Sequence, residues 1–215
     1  MITTSLCITC YDEDYQLLSN LLNLLENHQT EHPNEIIIVC SGKDYLDIPK
    51  IIKINKEEIP ITTCCISNRI IQSKARNIGS SISKYDFIIF FDVDDYPHKQ
   101  KIEITRKIIK DTECDFFVHN YYSSTDDFSK ILLTEDLENI EIHKIKDINR
   151  SCTNIIVEDY PIHQSHICVK KSIFSKLKFN ESWEFYRTED GKFCQDLVTN
   201  GYQGIYCPIK LVQYN

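Results

Sequence analysis

The sequence predicts an α/β protein built on a mostly parallel central sheet flanked by helices. Two observations carry that prediction. Short apolar runs of strand length alternate with amphipathic helical stretches. Several of those runs are apolar at nearly every position, as in strands covered on both faces. A third observation concerns ligands: acidic and hydroxyl residues gather directly after the strands, and sheets of this kind bind ligands outside their strand carboxyl ends.

The elements follow in order. "TSLCIT" predicts a buried strand, and "YQLLSNLLNLLENH" a helix striped by Leu17, Leu18, Leu21, Leu22, Leu24 and Leu25. "NEIIIVC" reads as the second strand, closed by "SGKD", where Gly42 permits a tight turn. "IPKIIKIN" predicts a third short strand. "ISNRIIQSKARNIGSSISK" reads as a loop leading into a helix that covers Ala75, Ile78 and Ile82, and "YDFIIFF" as another strand buried on both faces. Pro97 suits the first turn of a helix over "HKQKIEITRKIIK", and "CDFFVHNYY" resumes the strand pattern. Residues 123–160 mix charge with short apolar pieces and yield no element. Beyond them come a strand, "SHICVKK", and a short helix, "SIFSKL". The helix "TEDGKFCQDLVTNG" is opened by Thr188 and stopped at Gly201, and two strand-like pieces follow, "GIYCP" and "KLVQY".

A chain of 215 residues suits one sizeable core, and its five Gly and six Pro are too scattered to form a linker. The net charge of -8, with both signs interspersed, lacks the basic footprint of a nucleic-acid binder. No apolar run approaches the roughly 20 residues of a transmembrane helix. The opening "MITTSLCITC" also lacks the basic start and long apolar core of a signal peptide. The expectation is a soluble cytoplasmic protein, acting near membranes only through a partner. The ten cysteines do not change this. Cys7 and Cys10 stand three apart in a strand and face opposite sides, so they do not share a metal. Cys40, Cys64, Cys65, Cys114, Cys152, Cys168, Cys194 and Cys207 read as small hydrophobes. His163 and His166 read as packing or loop residues rather than a zinc site.

"FIIFFDVDDYP" drives an apolar strand into three acids, Asp92, Asp94 and Asp95, which repel one another unless a cation or donor groups compensate them. In extended backbone Asp92 and Asp94 project to one side and Asp95 to another. Two such carboxylates suit Mg²⁺ or Mn²⁺, with substrate phosphates and waters completing the octahedron. The same acids also suit a solvated turn in which Asp95 caps the following helix. An EF-hand would align Asp92, Asp94 and Glu103 but places Tyr96 and Pro97 at loop positions five and six. A haloacid dehalogenase-type phosphatase, with Asp92 as nucleophile, wants Thr or Val where Tyr96 stands.

Five pieces, "LCITCYDEDYQLL", "EIIIVCSGKD", "SKARNIGSSIS", "FIIFFDVDD" and "FNESWEFYRTEDGKF", occur in an order and spacing that runs nearly end to end. In them the chain resembles the family 2 glycosyltransferases of the GT-A fold. The resemblance implies a single GT-A domain over 1–215, with a nucleotide-sugar donor half at 1–95 and an acceptor half at 96–215. It implies that Asp94 coordinates Mn²⁺ or Mg²⁺ on the donor diphosphate, that Asp92 contacts the ribose or assists the metal, and that Arg76 faces the nucleotide or diphosphate. Thr9, Tyr11 and Glu13 fall in the base and ribose pocket. Asp190 falls on the general base. Glu189 and Trp183 are the expected acceptor contacts; Trp183, Phe185 and Tyr186 suit stacking on a sugar face near Asp190 or a place in the core or a lid. On local grounds Glu189 and Asp190 also read as first-turn acids complementing a helix dipole.

The chemistry agrees with these roles. A cation offsets charge growing on a leaving diphosphate, and a carboxylate opposite it takes the proton of an attacking hydroxyl, giving inversion. Family members often place an acid at the end of the second strand to read uracil. Here Cys40, Ser41 and Gly42 stand there, and Asp44 is the substitute, so a UDP-sugar is the preferred donor. Thr9 replaces a usual Pro. The absence of Q-x-x-R-W points to single addition, onto a glycan, lipid-linked or protein acceptor. Because Asn215 follows soon after the acceptor region, no further acceptor module is expected. The rival readings are a non-catalytic nucleotide-sugar-binding module on this fold and a metal-dependent phosphatase.

Overall fold

A computed structural model of the chain describes residues 1–42, 59–145, 163–186 and 188–215, with residues 163–165 described by backbone only. Its strands are β1 Thr4–Tyr11, β2 Glu35–Ser41, β3 Ile61–Ile66, β4 Phe87–Asp92, β5 Tyr96–Pro97, β6 Phe116–Tyr122, β7 His143–Ile145, β8 His163–Lys170 and β9 Gly204–Gln213. The α-helices are α1 Tyr15–Asn27, α2 Gln72–Ile82, α3 Lys101–Thr112 and α4 Glu189–Thr199. The strands form one sheet in the order β3-β2-β1-β4-β8-β6-β9-β5, with β7 on β9. β1 to β4, β6 and β9 run in one direction and β5, β7 and β8 run against them, so the sheet is mostly parallel.

Strand alternation assigns side chains to two apolar layers. Leu6, Ile8, Cys10, Ile36, Ile38, Ile89 and Phe91 pack with the buried leucines of α1 and with Ile102, Ile104, Ile108 and Ile109 of α3. On the other face, Cys7, Ile88 and Phe90 join Phe116, Val169, Phe174, Phe179 and the α4 residues Phe193 and Leu197. There too Ile37 and Val39 meet Ala75, with Ile78 and Ile82 partly buried alongside. Period-two projection thus sends Cys7 and Cys10 into different layers, as their spacing predicted. The nine described cysteines form no disulfide with one another and are buried or half-buried, while Cys152 lies outside the described residues. Where α2 crosses β1 the approach is close: a Cβ on Gly79 would sit 2.2 Å from Cys7 Sγ.

Several local expectations change. Pro97 does not open a helix; it sits in β5, paired with β9 at the sheet's edge, where a missing N–H breaks no interior ladder. The helix begins at Lys101 instead. "IPKIIKIN" lies outside the described residues, and the strand beside β2 is "ITTCCI". The two C-terminal pieces are one strand, β9, whose pairing with β6 slips register between Cys207 and Lys210, around Pro208. Within 123–160 there are a 3₁₀ turn at Phe128–Leu132 and the short β7. "SIFSKL" is a 3₁₀ turn at Lys171–Ser175. Among the described residues no helix is long and apolar enough to cross a membrane.

Candidate functional site

The carboxyl ends of β1, β2 and β4 lie side by side, and the chain leaving them encloses a cavity of about 190 Å³. Thr9 and Tyr11 from β1, Ser41 from β2, Asp92 at the end of β4 and Asp94 just beyond it line it, together with Asp14 and Gln72. Four of the sequence-predicted residues therefore meet in one place. Glu13 stands at the rim, bonded to Arg69 at 2.8 Å, and Arg69 lies over the Tyr11 ring at 3.8 Å from its centroid. Asp44 lies outside the described residues.

Arg76 does not face this cavity as expected. It is 2 % exposed and sits between two carboxylates: Nη2 donates to Asp92 Oδ1 at 2.9 Å and Nη1 to Glu189 Oε1 at 3.0 Å. The physical reason is its place on α2, whose buried face packs over β1 and β2. A guanidinium there pairs with acids, because a buried charge without partners is costly. The rest of the "ARN" stretch builds the same junction. Asn77 Nδ2 donates to the carbonyl of Phe179 and to Glu181, and its Oδ1 accepts from the Phe179 N–H. Helix α2 thus ties the acidic strand end of β4 to the segment leading into α4.

Gln72 lies one turn before Arg76 on the same helix. Its Nε2 donates to Asp92 Oδ1 at 2.6 Å and to Thr9 Oγ1 at 3.3 Å. Sequence reasoning missed it. Its spacing of four from Arg76, which puts both donors on one helical face, is the signal that marks it.

The three acids separate. Asp92 and Asp94 face the cavity and Asp95 does not. Nor does Asp95 cap the next helix, which starts six residues later. It is buried, its Oδ2 accepts from His166 Nε2 at 2.6 Å, and its Oδ1 accepts from the Asn215 N–H at 2.9 Å. His166 accordingly is a packed strand residue. One ligand atom each from Asp92, Asp95 and His166 lies within 4.8 Å of the others, but the short Asp95–His166 bond already engages two of the three. Asp94 has the opposite character. Its carboxyl pKa is pushed up to about 6, by burial first and then by the Asp95 and Asp92 charges. Among the described residues it forms no salt bridge. Uncompensated negative charge at the cavity wall is the donor chemistry that suits a hard divalent cation, so the residues fit one.

Helix α4 opens with Glu189 and Asp190 in its first turn; Thr188 occupies the cap position without a side-chain capping bond. Glu189 is buried on Arg76. Asp190 Oδ1 accepts from the Gly191 N–H at 2.7 Å. Burial pushes the Asp190 carboxyl up to about 6, with Arg76 pulling down and the Glu189 and Asp92 charges adding to the rise. Trp183 is 73 % exposed, 5.2 Å from the Tyr186 ring, so it is a surface aromatic rather than a core residue.

Comparisons with known proteins agree with this fold. Residues 5–176 match the profile of "Glycosyl transferase family 2". No curated protein matches the chain by sequence. Among solved structures, Staphylococcus aureus TarS residues 1–349 in complex with UDP superposes with a TM-score of 0.72 at 14% identity, over 99% of this chain and 60% of that one. The same fragment with UDP-GlcNAc gives 0.69 at 13%, over 99% and 58%. The mannosyltransferase PcManGT from Pyrobaculum calidifontis, in complex with GDP-Man and Mn²⁺, gives 0.68 at 14%, over 98% and 56%. The fold is shared with these GT-A proteins, and this chain spans less than two thirds of each.

Proposed function

The chain belongs to glycosyl transferase family 2, and from that premise we propose that it moves one sugar from a nucleotide-diphosphate donor to an acceptor hydroxyl, with inversion. One observation carries the reading. A single buried arginine joins the cavity-lining Asp92 to Glu189, the neighbour of Asp190, so the candidate donor site is tied to the helix turn that carries the candidate base. The solved neighbours' complexes with UDP, UDP-GlcNAc and GDP-Man support a nucleotide-diphosphate donor.

In this mechanism Thr9 and Tyr11 line the base and ribose part of the cavity, with Glu13 at its rim. Asp92, held by Gln72 and Arg76, is presented to the ribose or the cation, and Asp94 would be the main ligand of Mn²⁺ or Mg²⁺. A cation held there would supply positive charge to offset that developing on the leaving diphosphate; Mn²⁺ in the mannosyltransferase complex supports that class. Asp190 takes the proton of the attacking hydroxyl. A pKa near 6 leaves it mostly ionised at neutral pH and still basic enough to accept a proton. A single in-line attack needs no covalent intermediate, so the anomeric configuration inverts. Trp183 offers an exposed aromatic face to an acceptor sugar near this base, and UDP is the preferred nucleotide.

The test is Asp190→Asn, assayed for transfer and for donor hydrolysis with UDP-sugars and GDP-sugars plus Mn²⁺. Loss of turnover by about 10²- to 10⁴-fold with donor binding retained supports the enzyme. Unchanged turnover sinks the base assignment, and a wild-type chain that binds donor without any turnover is a binding module.

A further inference from the structure

Lys84, Lys170 and Lys171 line one open groove of about 710 Å³ beside the amino-terminal ends of β1 and β4, at the opposite edge of the sheet from the acidic cavity. Lys84 follows α2, Lys170 ends β8, and the 3₁₀ turn Lys171–Ser175 packs against α2 and so brings the three together. The same stretch, "KKSIFSKLK", adds two exposed ammoniums, Lys176 and Lys178, and residues 167–180 hold no acid. This positive face stands on a chain whose net charge is -8.

Its cations also lack the partners that others have. In the neighbouring groove, which shares Ile2, Arg106 bonds Glu31 at 2.9 Å and Lys107 bonds Asp111 at 2.8 Å. Among the described residues Lys84, Lys171, Lys176 and Lys178 form no salt bridge, and Lys170 has only Asp115 at 3.9 Å. Asp86, the one acid among the described residues lining the groove, accepts from Thr3 Oγ1 at 2.7 Å instead. The donors present decide which kind of anion fits. A pocket for a single phosphate needs fixed donors that converge on it. Here the hydroxyls of Ser80, Ser81 and Ser175 already donate to the carbonyls of Asn77, Ile78 and Ser172. What remains is a spread of hydrated point charges on flexible stems, which suits an extended negative surface. Phe87 and Phe174 of the groove are buried, so the contact is electrostatic and inserts no aromatic anchor.

We propose that this lysine face docks the protein directly on an anionic lipid bilayer. The inference stands apart from the glycosyl-transfer reading. β1 has eight residues, so a docked chain holds the acidic cavity roughly 25 Å from the groove and leaves it open.

Co-sedimentation with phosphatidylcholine vesicles, with and without phosphatidylglycerol, tests the assignment. Wild type should bind only the vesicles that contain phosphatidylglycerol, and should leave them at about 0.5 M NaCl, where charges are screened within about 4 Å. Each ammonium near an anionic surface strengthens binding by about fivefold. Lys84→Gln, Lys171→Gln and Lys176→Gln together should therefore weaken it by about 100-fold. The thermal midpoint should match wild type, because none of the three holds a salt bridge. Glutamine at Lys130, Lys144 and Lys210, which lie off the groove, removes the same charge and should cost less than about fivefold. A wild type that ignores phosphatidylglycerol overturns the proposal, as does an equal loss in both triple variants or binding that survives high salt. Displacement of the vesicles by micromolar inorganic pyrophosphate without metal also overturns it, because the groove is then a pocket for a small anion.

Discussion

Replacing Arg76 by Met tests the central structural claim, that this side chain is a tie between two acids rather than a free phosphate ligand. The substitution keeps much of the volume and removes the charge, leaving Asp92 and Glu189 without their cation. The two carboxyl side chains are only 16 % and 10 % exposed. Removing one partner from such a buried network costs about 3–5 kcal/mol. For a domain of this size each kcal/mol moves the midpoint by about 2–4 °C, so a fall of about 6–20 °C is expected. Arg76→Lys should lose about half as much, because an ammonium is a point charge that cannot fork to both acids. The sign of the pH dependence follows from the same geometry. Without Arg76 the burial of two negative charges stands uncompensated, a cost that acid relieves and alkali does not. The deficit is therefore smaller at pH 5 and larger at pH 8. Adding Glu189→Gln to Arg76→Met removes one stranded charge and should return about 1–3 kcal/mol. Urea denaturation at both pH values, followed by circular dichroism, measures all of this. A deficit below about 1 kcal/mol at both values, or one that is larger at pH 5, refutes the tie.

Three further outcomes follow from the same structure. Gly79→Ala places a methyl 2.2 Å from Cys7 Sγ and should destabilise by about 1–3 kcal/mol. That penalty opposes the roughly 1 kcal/mol alanine gains by helix propensity, and Cys7→Ala in the same chain should restore the loss in a thermal melt. Asp94→Asn should weaken binding of UDP with Mn²⁺ by at least about tenfold. Without metal it should raise the midpoint by a few degrees, because burial and then the like charges around Asp94 hold its pKa near 6 and make its ionised form a liability above that pH. That gain should be present at pH 8 and fade at pH 5. The turnover rate should rise with pH along a limb centred near 6, the value to which burial pushes Asp190. In Arg76→Met the limb should move upward, since the positive charge that opposes the rise is gone; an unmoved limb separates Asp190 from the titration.

Much of the scaffold was legible before any fold was known, because its signals are local. Apolar runs such as "EIIIV" and "FIIFF" can bury only as strands covered on both sides, and the leucines of α1 repeat at a helical period. The cavity residues Thr9, Tyr11, Asp92 and Asp94 could be named because parallel strands end on one edge. Pro97 was misplaced because both a helix start and an edge strand tolerate it, and only pairing with β9 selects between them. Gln72 went unnoticed because a lone glutamine carries no pattern of its own.

Sequence by itself determined the alternation of elements, the edge on which the cavity opens, and the acids gathered there. These follow from backbone periodicity, which each segment carries within its own few residues. Tertiary structure alone decided which groups bond. Arg76 meets a carboxylate 113 positions away, and Asp95 meets His166 across 71, so neither pairing is written near the residues that make it. The physical reason lies in burial: a charged group taken from water must find its partner among whatever the packed layers bring beside it.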